Sequence, residues 1–169
     1  MKKIGLFYSF NTKKTAQIAH KIAEQLRKEY VEEINAEEVT SDQFTSFENL
    51  ILGVPTWFDG ELPNYWDEFV PVLEELVLTR KKVAIFGAGD QKGYPENFID
   101  AVGIMASILE KRGAILVGLT STSTYNFESS KAKRGSQFCG LALDFENQVG
   151  MNKDRITAWC EQLKIEFGE

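Results

Sequence analysis

The sequence predicts a doubly wound α/β fold, in which a five-stranded parallel sheet carries helices on both faces. Four short apolar runs lack the alternation of apolar and polar residues that a strand exposed on one face shows. Strands that are apolar on both faces are typical of parallel sheets covered by helices. Amphipathic helix patterns fill the gaps between these runs. A chain of 169 residues suits one core, so we expect a single domain over residues 1–169.

The predicted strands leave room between them for crossover helices. The strong apolar runs cover residues 4–8, 50–54, 83–87 and 114–119, and a weaker, edge-like strand is expected within residues 30–39. Residues 120–140 are rich in Ser, Thr and Lys, with only scattered aromatic residues, before residues 141–143 resume a strand-like pattern. We interpret this segment as a polar excursion from the fifth strand.

Four amphipathic helices are predicted from apolar residues at three- and four-residue spacing. Their apolar positions are Ala16, Ala19, Ile22, Ala23 and Leu26 in the first helix, Trp66, Phe69, Val70, Leu73, Leu76 and Val77 in the second, Phe98, Ala101, Val102, Met105, Ile108 and Leu109 in the third, and Ile156, Trp159, Cys160, Leu163 and Phe167 in the fourth. Gly113 is expected to end the third of these helices.

Composition excludes several classes of function. The formal charge of -6 argues against nucleic-acid binding, and no apolar stretch is long enough to span a membrane. Cys139 and Cys160 form no CxxC pair, so neither a disulfide framework nor a thiolate zinc site is indicated, and a cytoplasmic location is expected. His20 is the only histidine and lies in a helix pattern, which disfavours catalytic triads.

Ligands of open α/β sheets bind beyond the carboxyl ends of the strands. The first loop there, residues 9–15, precedes a helix whose amino terminus offers unpaired N–H groups and a positive dipole end to a phosphate. Ser9, Thr12 and Thr15 add hydroxyl donors, and Asn11 or Thr12 is an acceptable helix cap. An ordinary capped helix with surface lysines would show the same residues, so this loop alone does not decide the matter.

Two other phosphate chemistries do not fit this loop. Lys14 and Thr15 resemble the end of an ATP-binding P-loop, but Lys13 and Tyr8 occupy the positions where that motif needs glycine. A phosphorelay receiver domain needs acidic residues after the first strand to hold magnesium, and this chain has Tyr8 and Ser9 there.

Two further loops each offer an aromatic residue at the same sheet edge. Residues 55–63 contain Trp57 and Phe58 between two prolines, although a local hydrophobic plug or a partner contact would also explain this pair. Residues 87–95 contain three glycines, which permit close backbone approach, followed by Tyr94. One phosphate loop and two aromatic loops describe a site for a planar heterocycle with a phosphate tail, which points to flavin mononucleotide (FMN).

At these residues the sequence resembles the flavodoxins, specifically their long-chain branch. The likeness covers essentially the whole chain and is carried by residues 3–8, 52–57, 60–62, 83–87, 89–91, 93–98 and 140–144 together with Asn147 and Gln148. It implies the strand order 2-1-3-4-5, and residues 120–140 match the insertion that distinguishes long-chain flavodoxins. It also implies one FMN, with its ring between Trp57 and Tyr94.

Position by position, the resemblance puts backbone groups of Phe58, Asp59 and Gly60 near flavin N5 and O4. Asp90, Asn97 and Ile99 would serve the pyrimidine edge, and Thr56 and Glu146 the ribityl chain. The full set of candidate cofactor-binding residues is Ser9, Phe10, Asn11, Thr12, Lys13, Lys14, Thr15, Pro55, Thr56, Trp57, Phe58, Asp59, Gly60, Gly89, Asp90, Tyr94, Asn97, Phe98, Ile99 and Glu146.

The chain departs from the family pattern in two places. The phosphate loop of flavodoxins normally reads Thr/Ser-x-Thr-Gly-x-Thr, and residues 10–15 lack one of its hydroxyls and its glycine. A lost hydrogen bond to a charged phosphate costs about 1.5–3 kcal/mol, and we expect Ser9, Lys13 or Lys14 to compensate. Phe58 stands where asparagine or glycine is usual, and its bulk should resist a positive φ.

The resemblance implies a low-potential, one-electron carrier and not an enzyme with its own substrate. Residues 29–79 hold 13 acidic residues and no Lys or Arg, which would steer the basic docking faces of a reductase and of an electron acceptor toward a monomeric carrier. A solvated acidic face is the plainer interpretation of the same charges. The alternatives are an FMN-dependent quinone or flavin reductase of the same fold, or a degenerate binding module without FMN.

Overall fold

The computed structural model describes residues 2–168. Within that range the strands are β1 (Ile4–Tyr8), β2 (Val31–Asn35), β3 (Asn49–Gly53), β4 (Lys82–Ala88), β5 (Ile115–Leu116), β6 (Thr120–Ser121), β7 (Lys133–Arg134), β8 (Gln137–Phe138) and β9 (Leu141–Leu143). The helices are α1 (Lys14–Gln25), α2 (Ser41–Thr45), α3 (Asn64–Leu73), α4 (Asp100–Lys111) and α5 (Asn152–Glu166). Short 3-10 turns cover Lys28–Tyr30, Ala36–Glu38 and Val149–Met151.

The main sheet is parallel and has the order β2-β1-β3-β4-β5, which confirms the predicted fold class. The last position of the sheet is shared by two strands. β5 pairs with the first residues of β4, where Val83 lies opposite Leu116, and β9 pairs with its last residues, where Phe86 lies opposite Leu141. The fifth strand is therefore interrupted, and the intervening chain forms the insertion.

Successive residues of each central strand point to opposite faces of the sheet, and both faces are buried. Leu50, Leu52 and Ile85 pack against α3 and α4 on one face. Ile51 and Phe86 pack against α1 and α5 on the other. This double burial explains why the central strands read as unbroken apolar runs. The edge strand β2 leaves Glu32 and Glu33 toward solvent, which explains its weaker pattern.

The insertion is more than a polar excursion. β6, β8 and β7 form a small antiparallel sheet, and aromatic side chains of the insertion cluster on Phe98. The ring centroid of Phe98 lies 5.4 Å from that of Phe127 and 5.8 Å from that of Phe138. At α4, an added Cβ on Gly103 would lie 2.2 Å from the carbonyl oxygen of Lys131, so this glycine lets the insertion backbone approach the helix.

Several details of the sequence prediction are wrong, among them Phe98, which precedes α4 and is not part of it. Helix α3 ends at Leu73, so Leu76 and Val77 lie beyond it, and Val77 is exposed while Leu78 is buried. The apolar run at residues 114–119 forms only a two-residue strand, because the chain turns away at Gly118, whose φ is +74°.

Cys139 and Cys160 are both free and buried. Among residues 2–168, none of the helices combines the length and the apolar character that crossing a bilayer would require.

Candidate functional site

A cavity of about 520 Å³ opens at the carboxyl ends of β1, β3 and β4. Its volume lies in the range of small-molecule sites. Three loops and the segment after β9 converge on it, as the sequence predicts. The cavity is lined by Thr12, Lys13, Lys14, Thr15, Pro55, Thr56, Trp57, Ala88, Gly89, Asp90, Tyr94, Phe145 and Glu146.

A smaller cleft of about 140 Å³ adjoins this cavity and shares Thr56, Gly89, Asp90 and Tyr94 with it. Its other lining residues are Phe58, Asn97, Phe98 and Ile99. The two spaces together thus bring most of the predicted cofactor-binding residues to one place. Ser9, Phe10, Asn11, Asp59 and Gly60 line neither space.

Trp57 is fixed by a tight hairpin. Its N–H donates to the carbonyl of Glu61 at 2.8 Å, and the N–H of Glu61 donates back to the carbonyl of Trp57 at 2.7 Å. The Trp57 ring packs edge-on against Tyr65, with centroids 5.9 Å apart. Its ring position is therefore set before any ligand arrives. Tyr94 lines the same cavity with 58% of its surface exposed, so an aromatic face is available there.

The hairpin turn requires two residues with positive φ. Gly60 has φ +92°, and a Cβ added to it would lie 2.6 Å from Oδ2 of Asp100. Phe58 has φ +49°, against the expectation that its bulk resists this conformation. Its side chain is 76% exposed, so the ring meets no packing conflict in the core, but the strain between its Cβ and its own backbone remains.

Helix α1 presents an uncapped amino terminus to the cavity. Lys13 is the N-cap residue, and no side chain of residues 2–168 caps the helix by a hydrogen bond. The predicted caps are therefore wrong: the Thr12 hydroxyl donates to the carbonyl of Ser9 at 2.7 Å, and the Asn11 amide donates to Glu37. The first N–H groups of α1, next to Thr12–Thr15 in the cavity wall, are free to meet an anion.

The first half of the phosphate loop is tied to the end of β2. The Ser9 hydroxyl donates to Oε2 of Glu37 at 3.0 Å, and the N–H of Phe10 donates to Oδ1 of Asn35 at 3.3 Å. Ser9 is 1% exposed, so its hydroxyl is already used inside the protein. Of the three residues predicted to compensate for the missing hydroxyl, Lys13 and Lys14 line the cavity and Ser9 does not.

Lys14 also forms an ion pair with Glu146 across the cavity rim. Both side chains are about half exposed, so this pair contributes little to stability. The Lys14 ammonium lies 5.8 Å from the ring centroid of Phe145. These two contacts place the lysine ammonium at the mouth of the cavity.

Asp144 joins the two remaining loops of the site. This fully buried carboxylate accepts hydrogen bonds from the backbone N–H and the side-chain amide of Gln91, from the backbone N–H of Glu146, and from both nitrogens of Asn147. Burial alone would raise its pKa, but the hydrogen bonds from Asn147 and Gln91 outweigh burial and lower the pKa below its usual value.

Asp90 is held in a similar way at the cavity wall. It accepts from the backbone N–H of Gly93 at 2.8 Å and from the Asn147 amide at 2.7 Å, and these bonds lower its pKa. Asp90 therefore faces the cavity as a carboxylate. The loop that carries Tyr94 is shaped by the same contacts, because the N–H of Tyr94 donates to the carbonyl of Asp90 at 2.9 Å.

Sequence reasoning did not single out Ala88 and Phe145 as cavity residues or Asp144 as a hub. Ala88 ends a strand that looks uniformly apolar, and Asp144 finds its partner Gln91 from 53 positions away along the chain. The sequence signal for Asp144 was an acidic residue placed directly after a strand.

Comparisons with known proteins agree with this geometry. The sequence profile of the flavodoxin family matches residues 6–159. The chain is 43% identical to a flavodoxin of Nostoc sp., with 99% of this chain and 98% of that protein covered, and 38% identical to flavodoxin 1 of Escherichia coli K12, with 96% and 93% covered. The crystal structure of Fusobacterium nucleatum flavodoxin bound to FMN superposes with a TM-score of 0.92 at 36% identity, covering 98% of this chain and 99% of that one. A lysine-to-glycine variant of that flavodoxin, also bound to FMN, gives a TM-score of 0.93. The chain belongs to the flavodoxin family.

Proposed function

We propose that this protein is a low-potential, one-electron carrier that uses non-covalently bound FMN. The observation that carries this proposal is the convergence of Trp57, Tyr94 and the uncapped amino terminus of α1 on one cavity of about 520 Å³. An FMN needs an aromatic slot for its ring and an anion site for its phosphate, and the cavity offers both. The Fusobacterium relative of the same fold is described as bound to FMN.

The cavity residues fit the parts of FMN. Trp57 and Tyr94 would flank the ring, and the α1 amino terminus with Thr12, Lys13 and Lys14 would hold the phosphate. Asp90, Asn97 and Ile99 would bind the pyrimidine edge, and Thr56 and Glu146 the ribityl chain. The backbone of Phe58, Asp59 and Gly60 would lie at flavin N5 and O4, since the hairpin begins at Trp57. The bound flavin would supply the redox chemistry, and the protein would supply binding and electrostatics.

Acidic residues around the cavity support a low potential. Asp90 lines it, and Asp59 and Glu61 belong to the adjoining hairpin, whereas Glu146 is compensated by its ion pair with Lys14. A carboxylate several ångströms from the ring opposes an added negative charge by about 1 kcal/mol in a partly solvated setting. That corresponds to a shift of about 40 mV for a one-electron couple.

We further propose that the carrier is a single domain over residues 1–169 and acts as a cytoplasmic monomer, without binding nucleic acid or membranes. Flavodoxins transfer electrons between redox partner proteins, and the relatives that match this chain are named as flavodoxins rather than as enzymes. The partners here would be a reductase and an electron acceptor with basic docking faces. Support comes from the formal charge of -6 and from the acidic stretch of residues 29–79.

The visible spectrum of the purified protein before and after dithionite tests the proposal. We expect a flavin spectrum that dithionite bleaches and that air restores. Steady oxidation of NAD(P)H by the protein alone would instead support the reductase alternative. Protein that stays colourless after FMN is added would support the binding-module alternative.

A further inference from the structure

A second groove, of about 470 Å³, lies on the other side of the loop between β1 and α1. It is lined by Tyr8, Phe10, Ala16, His20 and Glu33. None of these residues lines the cavity assigned to FMN, so the groove is a separate feature. It opens beside β2, which is the edge strand of the sheet.

The floor of this groove holds a carboxylate in a fixed position. The Tyr8 hydroxyl donates a hydrogen bond to Oε1 of Glu33 at 2.7 Å. Tyr8 is 3% exposed, and burial together with this contact raises its pKa, so the hydroxyl remains protonated and keeps donating. Oε2 of Glu33 accepts no hydrogen bond from any residue in the range 2–168, so that oxygen is available to an external donor.

The walls of the groove are aromatic. Phe10 is 49% exposed, and its ring centroid lies 5.1 Å from that of Tyr8. The His20 ring packs edge-on against Tyr8 at 6.1 Å, and its Nε2 lies 3.8 Å from Oε1 of Glu33. A half-exposed phenylalanine beside a carboxylate leaves apolar area in water that a flat ligand could cover.

Aromatic faces next to a carboxylate match the chemistry of a guanidinium group. Arginine is planar, stacks on aromatic rings, and donates several N–H groups to a carboxylate in a fixed fork, whereas lysine offers only a point charge. The chain itself already uses such stacking. The guanidinium carbon of Arg155 lies 4.0 Å from the ring centroid of Tyr125, and that of Arg27 lies 5.3 Å from the centroid of Tyr30.

We propose that this groove binds an arginine side chain of a protein partner, stacked on Phe10 and paired with Glu33. Charge complementarity at the groove favours a basic protein as the occupant, because Glu33 lines it and Glu37 is bonded to the Ser9 hydroxyl beside Phe10. That the partner is a redox protein rests on the proposed function. The arginine contact itself does not depend on FMN.

The sequence provides a clean reporter for this contact, because His20 is the only histidine. Its ring resonances in a proton NMR spectrum of the purified protein are followed while N-acetyl-arginine amide is added at constant pH and ionic strength. We expect saturable shifts. N-acetyl-citrulline amide, which has a similar shape but no charge, should bind more weakly by about fivefold or more.

Two matched variants distinguish binding in the groove from a general electrostatic attraction of arginine to the acidic protein. Glu33→Gln keeps an acceptor for the Tyr8 hydroxyl, while Glu32→Gln removes the same charge from the neighbouring, solvent-exposed position of β2. We expect Glu33→Gln and Phe10→Ala each to weaken arginine amide binding by about fivefold or more, and Glu32→Gln by less than about twofold.

Three results would overturn the inference: no saturable shift of His20, equal binding of the citrulline probe, or equal effects of Glu32→Gln and Glu33→Gln. The FMN content of the same samples is read from their visible spectra. If arginine amide does not bind but the protein carries flavin, the groove assignment fails and the electron-carrier proposal stands.

Discussion

Replacing Asp144 by asparagine tests how the cofactor site is held together. The carboxylate is fully buried, and five hydrogen bonds connect it to the loop after β4 and to the segment after β9. Both of these segments line the cavity. Asp144 and the hydrogen bond from the Asn147 amide to Asp90 therefore hold the Tyr94 loop and the Glu146 segment against each other.

The expected cost follows from the donors that surround each carboxylate oxygen. Oδ2 accepts from two nitrogens of Gln91 and from the side-chain amide of Asn147, and Oδ1 accepts from the backbone N–H groups of Glu146 and Asn147. An asparagine must turn its NH₂ group toward one of these sets, so at least two donors lose their acceptor. At about 1–3 kcal/mol for each unpaired donor, the loss of two acceptors in Asp144→Asn should lower the free energy of unfolding by about 2–6 kcal/mol.

Urea unfolding of the FMN-free protein at neutral pH, followed by far-UV circular dichroism, measures this loss. The control is Asp67→Asn, an exposed aspartate in the first turn of α3, which should cost less than about 1 kcal/mol. Because the folded-state pKa of Asp144 is lowered, its stabilising effect is present above the ordinary aspartate pKa and is lost as the pH falls through the folded value. The difference between wild type and Asp144→Asn should therefore shrink in acid. Equal unfolding free energies for wild type and Asp144→Asn at neutral pH would refute the proposed role of Asp144 in connecting the two segments.

Three other substitutions test the insertion and the cofactor site. Gly103→Ala should destabilise the protein by about 1–3 kcal/mol in thermal unfolding, since its Cβ would lie 2.2 Å from the Lys131 carbonyl oxygen. The control Gly150→Ala should be nearly neutral, because no atom lies within 4 Å of the added Cβ. Similar melting temperatures for the two variants would contradict the close approach of the insertion to α4. Replacing Lys13 and Lys14 together by glutamine should weaken FMN binding by about tenfold, and riboflavin binding by less than about twofold, in fluorescence titrations. Equal losses for the two flavins would show that the lysines do not serve the phosphate. Trp57→Ala should weaken the binding of both FMN and riboflavin by about ten- to a hundredfold, because the lost stacking acts on the ring that the two flavins share. Weaker binding of FMN alone would contradict the placement of Trp57 against the flavin ring.

The sequence predicts the fold well where burial leaves a local pattern. β1, β3 and β4 are covered on both faces, so each is an apolar run, whereas the edge strand β2 exposes Glu32 and gives only a weak signal. The end of α3 was misplaced because Val77 continues the helical spacing after the helix has stopped. The spacing of apolar residues along the chain does not predict the residue at which a helix stops packing against the sheet and ends.

The candidate site shows the same division. Trp57 and Tyr94 could be predicted because an aromatic residue in a loop at a strand's carboxyl end has few structural reasons to be there. The hydrogen bonds between Ser9 and Glu37 and between Gln91 and Asp144 could not be predicted, because each joins segments that are distant in sequence and forms only in the folded chain. Because the Ser9 hydroxyl is bonded to Glu37 while Lys13 and Lys14 line the cavity, we expect the lysines, and not Ser9, to serve a bound phosphate.

The most direct test of the account is a fluorescence-quenching titration of the FMN-free protein with FMN and with riboflavin. We predict one FMN bound per chain, with riboflavin bound more weakly by about tenfold or more, because only FMN reaches the amino terminus of α1 with a phosphate. Equal affinities for the two flavins, or no quenching by either, would contradict it.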